Sequence, residues 1–395
     1  MAEEFRAIRP EEMDECLDLW DAVFVRVGKA YFVPYFEGDP WFKPDYTRVC
    51  AVDGKLVSAV QVCERRVRIG AAELVMGGIG NVGTHSEFRS RGYSSHLLRD
   101  CVRVMGENRM DFSVLFTGIH DFYGRIGWRP VPVKLPVAKL KVELPEVETP
   151  FSVRRADWSS DLESIKRVYE AFNERRTLTT IRTPEYWSGY ALPRLGSPLF
   201  TLAAEADGEI AGYLNFRFDE ENCWLREIGY LPGEGECARA LVRQAAAIAR
   251  EKGAETLWCN LPHEPAVLAA LRQDAKHVEI REPSGMMCRI IDMRTLGERL
   301  LPELNRRAHM AEIPAGSISL DTELGSLELR VDGGQVGLGA HDPIRISLTQ
   351  TEFFSLLFGI KDVDELGLTM PEQARQILSA LFPPQQSVFW LTDHF

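Results

Sequence analysis

Apolar and polar positions alternate along the chain in three successive runs, each of which predicts a set of strands and helices. A period of two predicts a strand, and a period near 3.6 predicts a helix with one apolar face against a sheet. The first run predicts a strand at 5–8, a helix at 10–27, strands at 46–52, 56–69 and 76–82, and a helix beginning near residue 93. The antiparallel front of a sheet is therefore expected to form first, followed by a strand that leads into a helix.

The second run repeats this order, and the third does not. Residues 151–275 predict a short strand, a helix near 160–173, three further strands, a helix at 236–252, a strand at 256–259 and a short helix after Pro265. Residues 286–395 predict a strand, a helix at 295–307, several short strands and two helices at 349–358 and 371–381. Prolines 130, 132, 136, 145 and 150 punctuate a final strand of the first run and an exposed connector. The pattern predicts an α+β fold with domains at 1–148, 149–285 and 286–395.

The predicted strand at 76–82 and the loop after it have an unusual composition. Gly77, Gly78 and Gly80 interrupt the apolar strand, which predicts a bulge whose backbone lies open to a ligand. Residues 89–94 read Arg-Ser-Arg-Gly-Tyr-Ser, so a helix N-terminus and two arginines meet beside it. Converging N–H groups at such an N-terminus bind a pyrophosphate, and an open strand pairs with an amide-bearing arm. Coenzyme A has both parts, although a basic turn of this kind taken alone usually only joins a strand to a helix.

Two motifs in this region resemble those of the GNAT acyltransferases. Val82-x-Thr84 followed by Arg89-x-x-Gly92-x-Ser94 resembles motif A, whose last position is usually glycine or alanine, so Ser94 is a departure. Phe122-Tyr-Gly-Arg-Ile-Gly-Trp128, one strand later, resembles motif B. The resemblance implies a catalytic GNAT domain that uses acetyl-CoA as its acyl donor.

The resemblance also implies roles for individual residues. It assigns Tyr123 as the general acid that protonates the leaving thiolate, and a phenol with a pKa near 10 is a workable donor to a thiol with a pKa near 8.5. The backbone N–H of Val82 would meet the thioester oxygen. The residues implied in coenzyme binding are Val82 and Thr84 for the pantetheine arm, Arg89, Ser90, Arg91, Gly92, Tyr93 and Ser94 for the pyrophosphate, and Thr117 where the neighbouring strand parts from its partner.

Over essentially its whole length the chain resembles the Eis-like (enhanced intracellular survival) acetyltransferases. In that family a catalytic GNAT domain precedes a degenerate GNAT-like domain and a sterol-carrier-protein-like domain. Here the second copy has Glu234 and Glu236 where phosphates would need cations, so it is expected to be structural. The family brings the chain terminus into the first active site, which implies that the α-carboxylate of Phe395 is the general base. Asp393, His394, His120 and Asp121 are the alternatives for this role.

Composition narrows the classes of function. The net charge of −12 and the pI near 5.3 argue against a nucleic-acid surface. No stretch is apolar enough to span a membrane, and residues 1–15 lack the features of a secretory signal, so a cytoplasmic location is expected. Eight scattered cysteines without a C-x-x-C pair predict reduced core thiols and no metal site.

The predicted function is acetyl-CoA-dependent acetylation of a primary amine on a small cationic or peptidyl acceptor. The aromatic residues and carboxylates of 31–42, with Asp45, are candidates for holding a cation, although ordinary packing explains them equally well. The alternative function is a non-catalytic regulatory protein that binds a lipid or partner. Phe353, Phe354 and Phe358 would then line a lipid pocket, but a helix this apolar more often forms core. The resemblance also implies a homo-oligomer such as a hexamer.

Overall fold

The computed structural model describes residues 2–25, 27–144, 148–219, 221–282 and 285–395. It has a mixed α/β fold in which three sheets, of eight, seven and four strands, are covered by helices. In the described part of the chain, no helix combines the length and the apolar composition needed to cross a membrane. All eight cysteines are buried and free, as the sequence predicted.

The first sheet carries the predicted strand-to-helix connection. It is antiparallel except that β4 and β5 run parallel. Helix α1 packs on one face, where Trp20 covers Gly83, and α3 packs on the other, where Met105 covers Gly77. The elements in order are β1 Glu3–Ala7, α1 Met13–Val23, α2 Pro34–Glu37, β2 Thr47–Val52, β3 Lys55–Ile69, β4 Ala72–Thr84, α3 Tyr93–Glu107, β5 Phe112–Phe116, α4 His120–Gly124 and β6 Arg129–Pro130.

The face that α3 buries against the sheet contains Leu97, Leu98, Cys101, Val104 and Met105, while Val102 is half-buried. A straight helix advances by 3.6 residues per turn, so the face against the sheet moves from Cys101 to Val104 and Met105.

The elements from residue 135 to residue 281 are β7 Leu135–Leu140, β8 Ser152–Arg155, α5 Trp158–Asn173, β9 Thr177–Thr180, α6 Pro184–Tyr186, a π-helical turn Trp187–Ala191, α7 Leu192–Leu195, β10 Thr201–Ala206, β11 Glu209–Asp219, β12 Asn222–Tyr230, α8 Gly235–Glu251, β13 Thr256–Cys259, α9 Pro265–Asp274 and β14 Ala275–Arg281. The second sheet has the strand order β14-β7-β13-β12-β11-β10-β8, with β12 and β13 parallel, whereas β9 pairs with β3 of the first sheet. The sequence predicted most of these elements but none of those between residues 177 and 195.

Strands are exchanged between the first two sheets. Strand β7, predicted as the final strand of the first run, pairs instead with β13 and β14 of the second sheet. Strand β15 (Met286–Ile290), predicted to begin the last domain, pairs with β5 and β6 of the first. The period-two pattern identifies both strands but does not specify a partner, and each fills an open position beside the parallel pair of the other sheet. Pro145 of the predicted connector lies outside the described residues, and the domain boundaries stay a prediction.

The last segment forms a four-stranded sheet packed against the first sheet. Its elements are α10 Met293–Met310, β16 Gly316–Thr322, β17 Gly325–Asp332, β18 Gln335–Leu338, β19 Ile344–Ser347, α11 Gln350–Leu357 and α12 Glu372–Leu381. Phe354 and Phe358 are fully buried and lie 5.8 and 5.7 Å from Phe112 of β5, measured between ring centroids. The apolar helix is therefore packed core, as the sequence favoured, rather than the wall of a lipid pocket.

Replacing Met287 of β15 by alanine is expected to lower the melting temperature. The side chain is fully buried in the core between α3 and the first sheet, so its removal leaves a cavity that costs about 2–5 kcal/mol. Met310→Ala is the matched control, because that side chain is 75% exposed. Thermal unfolding followed by circular dichroism measures both, and equal melting temperatures would contradict the placement of β15 in this core.

Candidate active site

Strand β4 opens away from β5 in its second half. The two strands pair only at Met76, Gly77 and Gly78, and beyond Gly78 the edge of β4 that faced β5 has no strand partner among the described residues. On its other edge the register with β3 shifts between Gly80 and Gly83, and Asn81 there has a φ of +53°. The predicted bulge is thus present at Asn81 and Val82, and it exposes backbone groups at the opening.

The loop from Arg89 to Ser94 delivers the N-terminus of α3 to this opening. Ser90 and Gly92 both have positive φ, of +64° and +82°, and Gly92 precedes the first helical residue. The first bond within the helix runs from His96 N–H to the Gly92 carbonyl. The N–H groups of Tyr93, Ser94 and Ser95 therefore have no helical acceptor and point out of the helix end, where they attract an anion.

Ser94 departs from the usual motif, and a hydrogen-bonded chain accounts for it. Its hydroxyl lies 2.6 Å from the hydroxyl of Thr84, which lies 2.8 Å from that of Ser58. Ser58 in turn donates to the carbonyl of Gly83. The serine therefore ties the start of α3 to β4 and β3, and the loop stays tight without glycine or alanine at this position.

The side chains of the loop divide into two groups. Arg89 and Arg91 are exposed, and neither forms an ion pair with any carboxylate in the described parts of the chain. Tyr93 points the other way, since it is buried and donates from its hydroxyl to Glu3 at 2.5 Å. Two free cations thus stand at the helix end, and Tyr93 can offer a ligand only its backbone N–H.

A cleft of about 630 Å³ brings most of the predicted site together. Its lining includes Val82, Thr84, Arg89, Ser90, Arg91, Gly92, Tyr93, Ser94 and Tyr123, with apolar contributions from Val23, Phe88, Ile119 and Phe122. Thr117 is not part of this lining. It is instead tied to the start of β15, since its N–H donates to the Gly285 carbonyl at 2.8 Å.

Tyr123 lies on α4 and lines the cleft. Its ring packs edge-on against Phe122 and Trp128, with centroid distances of 5.0 and 6.4 Å. Its carbonyl accepts hydrogen bonds from the N–H groups of Ile126 and Trp128, which fixes the turn. Burial raises the pKa of Tyr123 to about 12, so the phenol is fully protonated at neutral pH.

Residues 387–395, here called the tail, run between the first and second sheets and end on β4. The ring of Phe395 lies over Gly78 so closely that a Cβ atom added there would collide with it. The carboxyl carbon of Phe395 lies 3.3 Å from the Cβ position of Gly80, two residues before Val82. Within the described residues, no hydrogen bond or ion pair engages the carboxylate of Phe395.

The residues before Phe395 are anchored in the second sheet. Arg182 is fully buried and donates to both carboxylate oxygens of Asp393, at 3.0 and 2.9 Å, and to both oxygens of Glu227, at 3.0 and 2.7 Å. Thr392 bonds to Glu227 and Arg182, and Tyr186 donates to Asp393. Asp393 is therefore saturated and serves as an anchor, which leaves it poorly placed as a base.

The histidines are also poorly placed. His394 stacks on Phe116 at 3.9 Å between centroids, and burial, together with Arg194 and Arg226 nearby, lowers its pKa to about 3. His120 and Asp121 line a separate pocket of about 400 Å³ with Trp128 and Arg129, rather than the cleft that contains Val82 and Tyr123. Of the candidates from the sequence, the Phe395 carboxylate is the one that lies at the opening without a partner.

The segment predicted to hold a cationic acceptor instead holds arginines of the protein. Asp39 accepts from Arg65 at 2.6 Å, and the same guanidinium lies over the ring of Trp41 at 6.0 Å. Tyr31 and Tyr35 lie 5.2 and 4.8 Å from the guanidinium of Arg194. The expectation of a free cation site at 31–42 is therefore wrong for Asp39 and these tyrosines, because their charges and faces are already used.

Three residues near the tail were missed by the sequence analysis: Arg182, Tyr190 and Arg194. All lie between residues 177 and 195, where short helical turns break the hydrophobic period. The signal that was available is the run of aromatic residues Tyr186, Trp187 and Tyr190 between two arginines, a composition typical of stacked guanidinium groups.

Comparison with known proteins gives a family for the first part of the chain. Residues 4–131 match the acetyltransferase (GNAT) domain family. No curated protein sequence matches the chain. Solved structures share the fold over the full length of both chains: a conserved protein of unknown function and probable N-acyltransferase from Enterococcus faecalis (TM-score 0.76, 18% identical), a GCN5-related N-acetyltransferase from Anabaena variabilis (0.72, 14%) and Eis1 from Mycobacterium abscessus (0.65, 13%).

These likenesses extend the shared fold beyond the matched domain, but at such low identity they carry no specificity. The family match covers the bulged strand, the loop at the start of α3 and Tyr123. A GNAT fold implies an acyl-CoA donor and an amine acceptor. The protein therefore carries a GNAT acetyltransferase domain at residues 4–131 and is an acetyltransferase.

Proposed function

We propose that the protein transfers an acetyl group from acetyl-CoA to a primary amine by direct attack. The observation that carries this proposal is the single cleft in which a bulged strand, free helix N–H groups, two unpaired arginines and Tyr123 meet. Each feature meets one requirement of acyl-CoA binding or acyl transfer. A site that no longer binds the coenzyme would be expected to lose its cations. The corresponding turn of the second sheet carries Glu234 and Glu236 instead.

The coenzyme is held by the backbone as much as by side chains. The N–H groups of Gly92, Tyr93 and Ser94, with the guanidinium groups of Arg89 and Arg91, suit its pyrophosphate. Val82 and Thr84 on the open edge of β4 suit the pantetheine arm, and the Val82 N–H suits the thioester oxygen. Ser90 supplies the positive φ that turns the loop. Thr117 lies outside the cleft lining, and its proposed place is only the sheet edge where β5 separates from β4.

Tyr123 acts as the general acid. Because its pKa is raised to about 12, it is protonated whenever the departing thiolate needs a proton. The transfer of that proton to sulfur leaves a phenolate, which regains a proton from solvent after product release.

The terminal carboxylate of Phe395 acts as the general base. Its position on Gly80 places it on the face of β4 that is opposite α3, so it approaches an acceptor amine from the side away from the pyrophosphate. A carboxylate without internal partners attracts an ammonium group and accepts its proton, directly or through water. The neutral amine then attacks the thioester carbon.

We further propose that the second sheet is a degenerate GNAT copy, the last segment a sterol-carrier-protein-like domain, and the whole an Eis-like enzyme. In support, β12 and β13 part after Leu225 and Cys259 just as β4 and β5 part after Gly78, and the register of β12 shifts beside Glu227. The tail occupies that second opening, since Asn260 donates to the Phe389 carbonyl there. The domain boundaries at 148 and 285, a homo-oligomer such as a hexamer and a cytoplasmic location stay predictions.

The function is tested by thiol release from acetyl-CoA over a panel of primary amines, small and peptidyl. Turnover that requires the amine supports the proposal. Binding of acetyl-CoA without turnover of any amine would instead favour a non-catalytic protein that retains the fold.

Gly92→Ala is expected to weaken acetyl-CoA binding about tenfold. The position has space for a methyl group, but alanine at a φ of +82° costs about 1–2 kcal/mol, and the loop relieves that strain by moving its N–H groups. Gly106→Ala, at the other end of α3, also has space and has no positive φ, so it is the matched control. Calorimetric titration measures both affinities, and equal values would count against the pyrophosphate site.

Tyr123→Phe is expected to lower kcat by about 100-fold with little change in acetyl-CoA affinity, because only the proton donor is removed. In the unchanged protein the rate rises with pH as the amine loses its proton. It falls only as the pH nears the Tyr123 pKa of about 12. Tyr230→Phe is the control, since it removes a hydroxyl outside the cleft. Unaltered kcat in Tyr123→Phe would remove this residue from the mechanism.

Extending the chain by a few residues beyond Phe395 is expected to lower kcat by about 100-fold, because the carboxylate is displaced from Gly80. The same residues added before Ala2, which is exposed, should leave the rate unchanged. Acetyl-CoA affinity should stay constant in both proteins. Full activity with the carboxyl-terminal extension would show that another group is the base.

A further inference from the structure

Two arginines close to the end of the tail lack a carboxylate partner. Arg194 on α7 and Arg226 on β12 form no ion pair within the described residues, although both are half-buried. Both lie near enough to His394 to disfavour its protonated form. Buried cations are usually paired, so two unpaired ones beside a reaction centre call for an explanation.

The other charges in this region are already matched. Arg65 is paired with Asp39 at 2.6 Å, and Arg182 is paired with Glu227 and Asp393. The cations of this region that have no carboxylate partner among the described residues are therefore Arg194, Arg226 and Arg217, which lies near Arg226. The terminal carboxylate is the one negative group close by that the described residues leave unpaired.

Arg194 is held in place by aromatic rings rather than by acids. Its guanidinium carbon lies 4.6 Å from the ring centroid of Tyr190, with Tyr31 and Tyr35 on other sides. Its Nε and Nη2 atoms are buried and have no hydrogen-bond partner among the described residues. Arg226 donates from Nη1 to the Arg194 carbonyl at 3.1 Å, which fixes the two arginines next to each other.

Tyr190 connects this pair to the reacting groups. Its hydroxyl donates to the His394 carbonyl at 2.9 Å, one residue before the proposed base. Its ring also lies 4.3 Å from the guanidinium of Arg65, which in turn lies 5.9 Å from the ring of Phe395. The Tyr190 ring and the Arg65 guanidinium thus connect Arg194 to the ring of Phe395.

The two faces of β4 separate the two substrates. Gly77 faces α3, whose N-terminus suits the coenzyme, whereas Gly78 and Gly80 face the tail. An acceptor that meets the terminal carboxylate therefore arrives on the tail side, where the unpaired arginines lie. Tyr31, which is 42% exposed, lies at the outer edge of this group.

We propose that the acceptor carries a carboxylate in addition to its amine, and that Arg194, supported by Arg226, is the specificity-determining residue that binds it. The acceptor class is then an amino acid or a similar amino-carboxylate, rather than a polycation. Its ammonium group faces the Phe395 carboxylate while its own carboxylate faces the arginines, so opposite charges are matched at both ends. This assignment rests on the acyl transfer proposed above and narrows its acceptor.

The competing explanation is that the two arginines only offset the charge of the terminal carboxylate. In that case the loss of Arg194 would change transfer to every amine by the same factor. If Arg194 binds the acceptor, its loss matters only for acceptors with a carboxylate.

Matched acceptor pairs distinguish these explanations. L-phenylalanine is compared with phenethylamine, and L-lysine with cadaverine, in full-length protein and in Arg194→Gln, by kcat/KM for thiol release from acetyl-CoA. We expect the carboxylate-bearing member to be preferred at least about tenfold, and the preference to disappear in Arg194→Gln. Because each pair is compared between two proteins, differences in amine basicity cancel.

Arg155→Gln is the matched control. Arg155 also stacks on an aromatic ring, at 5.0 Å from Phe216, and has no ion pair in the described structure, but it lies in another pocket. It should keep the wild-type preference. Turnover without a preference, or an equal loss for both members of each pair, overturns the inference and leaves the acetyltransferase proposal standing.

Direct binding separates the two proposals if no acceptor turns over. Calorimetric titration of L-phenylalanine in the presence of coenzyme A then reports on Arg194 alone. Weaker binding in Arg194→Gln than in Arg155→Gln supports the inference while the transfer reaction fails, and equal binding overturns it.

Discussion

The position of the tail depends on one buried ion cluster, in which Arg182 holds Asp393 and Glu227. None of these three side chains is exposed, and they join the second sheet to the tail of the chain. Removing one member of a buried ion pair typically costs about 3–5 kcal/mol, because an unpaired charge is left behind. The cluster is therefore a strong constraint on where the tail lies. It fixes His394 on Phe116 of β5 and Phe395 on Gly78 and Gly80 of β4.

Strand β4 is the element on which everything converges. Its glycines allow close approach on both faces, with Met105 over Gly77 and Phe395 over Gly78. Its bulge exposes the backbone at Val82. Beyond Gly78 it separates from β5, which leaves a gap between the two strands. A strand with ordinary side chains at these positions would exclude either α3 or the tail. The glycines of this strand are thus the condition for α3 and the tail to lie against its two faces.

The features of this site that lie within short stretches of the sequence could be predicted from the sequence. The interrupted strand, the basic loop and the tyrosine turn are each contained within a few residues, and their order predicted the cleft that the structure contains. Positions fixed by long-range contacts could not be obtained in this way. The anchor at Arg182 lies 211 residues from Asp393, and no periodicity connects them. The ion pair between Asp39 and Arg65 was missed for the same reason, since a sequence shows which residues are charged but not which of them pair.

The exchange of β7 and β15 has a consequence for how the chain can be divided. Cutting the chain at either predicted domain boundary would leave one fragment with a strand that pairs in the other fragment's sheet. That sheet would then lack one of its strands. The first two sheets are interlocked through the backbone as well as through side chains. A fragment that ended at residue 131, where the GNAT match ends, would lack β15. Strand β5 would then lose the strand that pairs with it on the side away from β4. The first two sheets are therefore not separable parts of the chain.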